Sequence, residues 1–117
     1  MVKPRSASHA EALTAAVLGP GGRSNLALRR AVLEAGAWLA EHDEAPGAEA
    51  VPQPLAGLVE KIARHAYRMT DEDTAAAQAA GYGEDELFDV IVAASLGAGL
   101  VRHERGLAAI DAWERSR

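Results

Sequence analysis

Apolar positions recur at helical spacings along this chain, and no stretch alternates with the two-residue period of a strand. The densest run is Leu87 to Val101, L-F-D-V-I-V-A-A-S-L-G-A-G-L-V, broken only by Asp89 and Ser95. Its apolar side chains point in every direction around a helix rather than along one stripe, the pattern of a helix surrounded by protein. The pattern therefore predicts a central buried helix over about 84–102, opened by Gly83, with Glu84, Asp85 and Glu86 facing the positive end of its dipole. A membrane span needs about 20 apolar residues. Asp89 and the Gly97/Gly99 pair leave this run short of that, and no membrane partner is expected.

Amphipathic segments are predicted to wrap this helix. Ser6 or Ser8 is placed to cap a first helix reaching about Leu18, with Leu13, Ala16 and Val17 as its apolar stripe, before Gly19-Pro20-Gly21-Gly22 ends it. That glycine cluster has neither the preceding strand nor the following Lys-Ser/Thr of a phosphate loop, and it reads as a connector. Ser24 or Asn25 caps a second helix to about His42, where Leu28, Val32, Ala35 and Leu39 share a face and Trp38 borders it. Residues 42–53, rich in Pro, Gly and acid, form a linker within the domain, and residues 1–5 are expected to fray. Pro54 suits the first turn of a third helix, which buries Leu55, Leu58, Val59, Ile62, Ala66 and Met69 and turns Lys61, Arg64 and Arg68 to the opposite face. Thr70 caps a fourth helix that begins with Asp71, Glu72 and Asp73 and ends at Gly81. Beyond Val101 the central helix either continues to Trp113 or bends near Gly97 to Gly99, with Leu107, Ile110 and Trp113 as a last apolar stripe. Gly97, Ala98 and Gly99 permit close backbone approach and mark the expected site of the tightest helix contact. The whole reads as a single all-α domain over residues 1–117.

Composition changes this picture in one direction. Alanine supplies 27 of the 117 residues, and the aromatics are Trp38, Tyr67, Tyr82, Phe88 and Trp113, so the 49% hydrophobic fraction consists largely of small side chains. Such a core buries little area per residue, which makes self-association an expected source of further burial. The net charge of -5 disfavours phosphate backbones, because nucleic-acid binding relies on Lys and Arg displacing condensed counterions. Ala77, Gly81, Leu87 and Val90 do match the spacing of a helix-turn-helix, but its recognition helix would present Glu84, Asp85 and Glu86 to phosphates. No nucleic-acid partner is expected. The absence of cysteine excludes disulfides, thiolate metal sites and a cysteine nucleophile. No amino-terminal segment has signal-peptide character, so a soluble cytoplasmic protein is expected.

The run from His65 through Arg102, H-A-Y-R-M-T-D-E-D-T-A-A-A-Q-A-A-G-Y-G-E-D-E-L-F-D-V-I-V-A-A-S-L-G-A-G-L-V-R, resembles the carboxymuconolactone decarboxylase and AhpD-like alkylhydroperoxidase superfamily. There a capped helix, a glycine, an acidic helix start and a long apolar helix follow in the same order. The match covers Leu55 to Ala109, with its best parts at Tyr67 to Asp73 and Gly81 to Gly99. The resemblance implies an AhpD-like helical fold assembled into homo-oligomers, trimers or hexamers. It does not imply the activity. The positions matching the peroxidase branch's C-x-x-C pair and its following histidine hold Ala66, Met69 and Asp73, and Asp73 also stands where the decarboxylase branch tends to keep a histidine. No thiol peroxidase activity is expected.

The remaining candidates lie around the same place. His65 and Asp73 could act as an acid/base pair, with Arg68, His103 and Tyr67 lining a small-molecule pocket. Each also has a plainer reading. His65 borders an apolar face, Asp73 sits where a capping-box carboxylate belongs, and Tyr67 is a packing group. A metal site of His65 with Asp71 or Asp73 would be short of ligands, and neither a metal nor a cofactor is expected. Two function classes follow: a non-redox, oligomeric small-molecule binding or assembly module, and a cofactor-free acid/base enzyme acting on a lactone or carboxylate.

Overall fold

The Thr70 to Gly83 segment shows how local chemistry sets the element boundaries. In the structure, a computed structural model describing residues 5–20, 25–44 and 51–117 with side chains from residue 9 onward, Asp73 reaches back to the Thr70 backbone N–H at 2.8 Å and its Oγ1 at 3.2 Å. This starts helix α4, Asp71–Ala79. It ends in a Schellman arrangement, with the Tyr82 N–H donating to Ala77 O at 3.2 Å and the Gly81 N–H to Gln78 O at 3.0 Å. Gly81 takes φ 106°, a left-handed conformation that side chains disfavour. The next helix, α5, spans Glu84–Arg115, and the Glu86 carboxylate accepts from the Gly83 N–H at 3.3 Å.

The described residues form five α-helices and a 3₁₀ turn, with no strand among them. Besides α4 and α5 these are α1 (Arg5–Val17), α2 (Leu26–Glu41) and α3 (Gln53–His65), with the 3₁₀ turn at Ala66–Arg68. The fold is all-α. Asn25 caps α2, its side chain accepting from the Ala27 N–H at 2.7 Å. Helix α1 starts at Arg5, so Ser6 and Ser8 lie inside it rather than capping it. Its predicted stripe is only half docked, since Leu13 and Ala16 are exposed and Val17 is half-buried. Ser24, Gly21 and Gly22, the fraying expected at residues 1–4, and the middle of the 42–53 linker lie outside the described residues. At the far end of that linker Val51 is buried in the core.

Helix α5 is the centre. Leu87, Val90, Ala93, Ala94, Gly97 and Val101 are buried along one side of it, chiefly against α2 and also against α3. Gly36 and Gly97 let α2 and α5 approach so closely that backbone meets backbone. A Cβ on Gly36 would stand 2.5 Å from Ala94 O, and one on Gly97 would overlap Leu33 O and stand 3.0 Å from Ala37 N. Gly99, expected to share this role, does not: a Cβ there would meet nothing within 4 Å, because the residue lies on the outer side of α5. The remaining core comes from Val32, Leu55, Val59 and Ile62. In α3 the buried face ends with Ala63. Ala66 is exposed and Met69 half-buried, because the 3₁₀ turn rotates the chain away from the helical period. Ala77, Leu87 and Val90 are all buried, so their helix-turn-helix spacing is accounted for by α4 packing against α5.

Three arginines close helix C-termini, each from another helix. Arg29 of α2 is 4% exposed and donates from Nη1 to Val17 O at 3.1 Å and Gly19 O at 2.8 Å, at the end of α1. Arg64 of α3 donates to His42 O at 2.6 Å and Leu39 O at 3.4 Å, at the end of α2. Arg102 of α5 donates to Ala63 O near the end of α3. Carbonyls left open by a helix end are thereby satisfied, and positive charge meets the negative pole of each dipole. Arg64 therefore does not belong to a solvent-facing side of α3, as its spacing had suggested.

Helix α5 continues unbroken through Gly97 to Gly99 and runs on as one helix to Arg115. Its last buried residue is Val101, and every residue from 102 to 117 is exposed. At 1.5 Å per residue its 32 residues extend about 48 Å, which accounts for most of the 54 Å long dimension of the molecule.

Candidate functional site

His65, the last residue of α3, lines an open polar groove of about 530 Å³ where α2 and α3 end beside α5. His42, Asp43, Arg64, Arg102 and Arg105 also line it. The groove is rich in cations, but Arg64 and Arg102 donate to helix carbonyls, and Arg64 also pairs with Glu60 at 3.0 Å. His42 stacks on Trp38 with ring centres 3.6 Å apart. His65 itself is exposed, and its ring meets that of Tyr67 edge-on at 6.0 Å. Tyr67 is 79% exposed, with the Arg68 guanidinium 5.6 Å from its ring centre. His65, Tyr67 and Arg68 thus make a small exposed cluster at the 3₁₀ turn.

Asp73 is engaged elsewhere. Besides Thr70, its carboxylate accepts from Lys61 Nζ at 2.9 and 3.1 Å, joining the start of α4 to the side of α3. The Lys61 hydrogen bond and then the Thr70 backbone N–H hold the Asp73 carboxyl below its ordinary value of 3.8. Such a carboxylate is a weak base, and the lining of the groove at His65 does not include it. His103 is exposed on α5 and is likewise outside that lining, although Arg102 and Arg105 belong to it. The structure therefore gathers His65, Tyr67 and Arg68 by their ring contacts, and of the predicted site residues His65 alone lines the groove, with Tyr67, Arg68, Asp73 and His103 outside its lining. Among the described residues no group of three or more His, Cys, Asp or Glu side chains could hold a metal ion.

A second, apolar groove of about 470 Å³ opens between α1 and α5, with Leu13, Val17, Phe88 and Val92 on its walls and Arg29 and Asp89 among its polar lining. Phe88 is 67% exposed there. Arg29 is not marked by any motif in the sequence. Its only signal was that it stands 3 and 7 positions before Val32 and Gly36, on the face of α2 that meets α5.

Comparison of the chain with known protein families, with curated proteins and with solved structures finds no match. Among the described residues no helix is long and apolar enough to cross a membrane.

Proposed function

We propose that this protein is a non-redox, self-associating helical module with an AhpD-like arrangement, working in the cytoplasm and presenting an apolar groove to a partner chain or small molecule. One observation carries this reading. The carboxyl-terminal half of α5 projects from the bundle with Leu107, Ile110 and Trp113 exposed, and apolar surface of this kind marks interaction sites. The family resemblance is supported by the order of the elements: a Thr70-capped helix, a left-handed Gly81, an acidic helix start and a long apolar helix.

The alternative, an acid/base enzyme using His65 and Asp73, is less well supported, because Asp73 is committed to Lys61 and Thr70. Native mass spectrometry of the purified protein tests the proposal by reporting subunit count and any retained molecule together. A multiple of the chain mass is expected. A bare single chain at all concentrations would reject the self-associating module. Turnover of a hydroperoxide with a thiol reductant is expected to be absent, and robust turnover would overturn the non-redox reading.

A further inference from the structure

The outer side of α5 carries a line of residues that its own chain leaves uncovered. At 3.6 residues per turn Phe88, Val92, Ser95 and Gly99 fall on one face, which continues through His103, Gly106, Ile110 and Trp113. It lies opposite buried Val90, Ala94 and Val101, and all of its members except half-buried Val92 are exposed. The line is about 38 Å long from Phe88 to Trp113 at 1.5 Å per residue. We propose that this face pairs two copies of the chain, with their α5 helices antiparallel about a two-fold axis at Gly99. The inference rests on the self-associating reading above and adds its surface and symmetry.

Four observations select a second copy as the occupant. The first is the pair of glycines. A Cβ at Gly99 or Gly106 would meet nothing within 4 Å, so no contact among the described residues requires them, although glycine inside a helix costs about 1 kcal/mol relative to alanine. A close neighbour from outside gives both a use. The second is the order along the line. Residues equidistant from Gly99 face each other across such an axis, setting Phe88 against Ile110, Val92 against Gly106 and Ser95 against His103. Phe88 and Val92 then meet apolar or small residues, the central pair of polar residues can hydrogen-bond, and Trp113 falls opposite Asp85.

Charge is the third. Between 84 and 101 α5 carries Glu84, Asp85, Glu86 and Asp89 with no Lys or Arg, whereas beyond Val101 Arg102, Arg105, Arg115 and Arg117 stand among Glu104, Asp111 and Glu114. Antiparallel pairing sets the acidic start of one helix against the mixed end of the other, where Glu114 falls opposite Glu84 and Arg115 and Arg117 flank it, and opposes their dipoles favourably. Parallel pairing would set four carboxylates against four. Area is the fourth. Leu13, Phe88, Leu107, Ile110 and Trp113 are each 44–67% exposed, and with about 150–250 Å² for each aromatic and somewhat less for each aliphatic residue two copies offer on the order of 1,000 Å². That is about the lower bound for a specific interface, before flanking residues are added. The Ile110 and Trp113 end of each helix would then reach the partner's groove beside Leu13 and Phe88.

Cysteine scanning tests this directly, since the chain has no cysteine of its own. A disulfide needs Cα atoms about 4.4–6.8 Å apart, so under oxidation Gly99→Cys is expected to give a cross-linked pair. Gln78→Cys, exposed on α4, should give none. Light scattering should find two chains, or an even multiple. Ile110→Glu should weaken association at least about tenfold with helical circular dichroism unchanged, because Ile110 lies in the exposed stretch of α5. An assembly of even number without the Gly99→Cys cross-link and indifferent to Ile110→Glu would overturn this interface while leaving self-association intact. An odd-numbered assembly would overturn the two-fold axis. A single-chain mass for the wild type, with or without a molecule retained on the apolar groove, would overturn both readings.

Discussion

A methyl group added at Gly97 and one added at Gly57 act with opposite sign. Both glycines sit inside helices, where alanine is favoured by roughly 0.5–1 kcal/mol. At Gly57 the Cβ meets nothing within 4 Å, so Gly57→Ala should raise stability by about that amount. At Gly97 it meets the backbone of Leu33 and Ala37, which cannot rotate away, so Gly97→Ala should lower stability by about 1–3 kcal/mol through forced separation of α2 and α5. Urea unfolding midpoints of the two variants would show the divergence. Asp73 offers a second test at this scale. Its carboxyl is held below 3.8 in the folded chain, by Lys61 first, so protons bind the unfolded chain more readily. Its contribution should be fully present well above 3.8 and lost progressively as pH falls through 3.8 and then through the depressed folded value. Stability against pH, compared between wild type and Asp73→Asn, should show a gap that closes on the acid side of that value. A gap that persisted there would assign the effect to packing rather than charge.

Elements were legible in the sequence where their determinants are local. Thr70, Asp73 and Gly81 lie within one short stretch, and each capping bond there joins residues 3 to 5 positions apart, so the start and end of α4 follow from chemistry that a linear reading contains. Arg29, Arg64 and Arg102 were not legible, because each donates to carbonyls 10 to 39 positions away and its target depends on how the helices assemble. The same limit explains Gly99. Gly97 and Gly99 are two residues apart and therefore face different sides of a helix, and nothing in the order of residues says which side meets α2. His65 and Asp73 are a similar case. They lie eight positions apart, but the 3₁₀ turn and the new helix start at Thr70 direct Asp73 to Lys61. The arginine closures carry a prediction for α1, which otherwise docks weakly. Arg29→Met fills similar space without donors, and it should raise amide exchange throughout α1 while leaving the buried turns of α2 and α5 protected. Unchanged exchange in α1 would mean that its end is held by packing alone.

For the whole molecule, the division of α5 between a first half docked along one side and a second half exposed all round decides what assembly contributes to stability. The last buried residue of α5 is Val101, and the residues beyond Arg105 are all exposed. Removing residues 106–117 should therefore leave the thermal midpoint of a dilute sample nearly unchanged. Concentration separates the two proteins. A species formed only by folded chains draws the folding equilibrium toward itself by mass action, so the midpoint of the full-length chain should rise as protein concentration increases. The shortened chain lacks Leu107, Ile110 and Trp113, three of the five large apolar groups exposed for the two-fold contact, and its midpoint should stay flat. Calorimetry of both proteins across a concentration series provides the check. A full-length midpoint independent of concentration would mean that the projecting arm lends the fold nothing. A shortened chain that still gains stability with concentration would place the association on another face. The thin, alanine-rich core makes the first behaviour the expected one, because a chain that buries few large side chains internally has the most to gain from covering those it leaves outside.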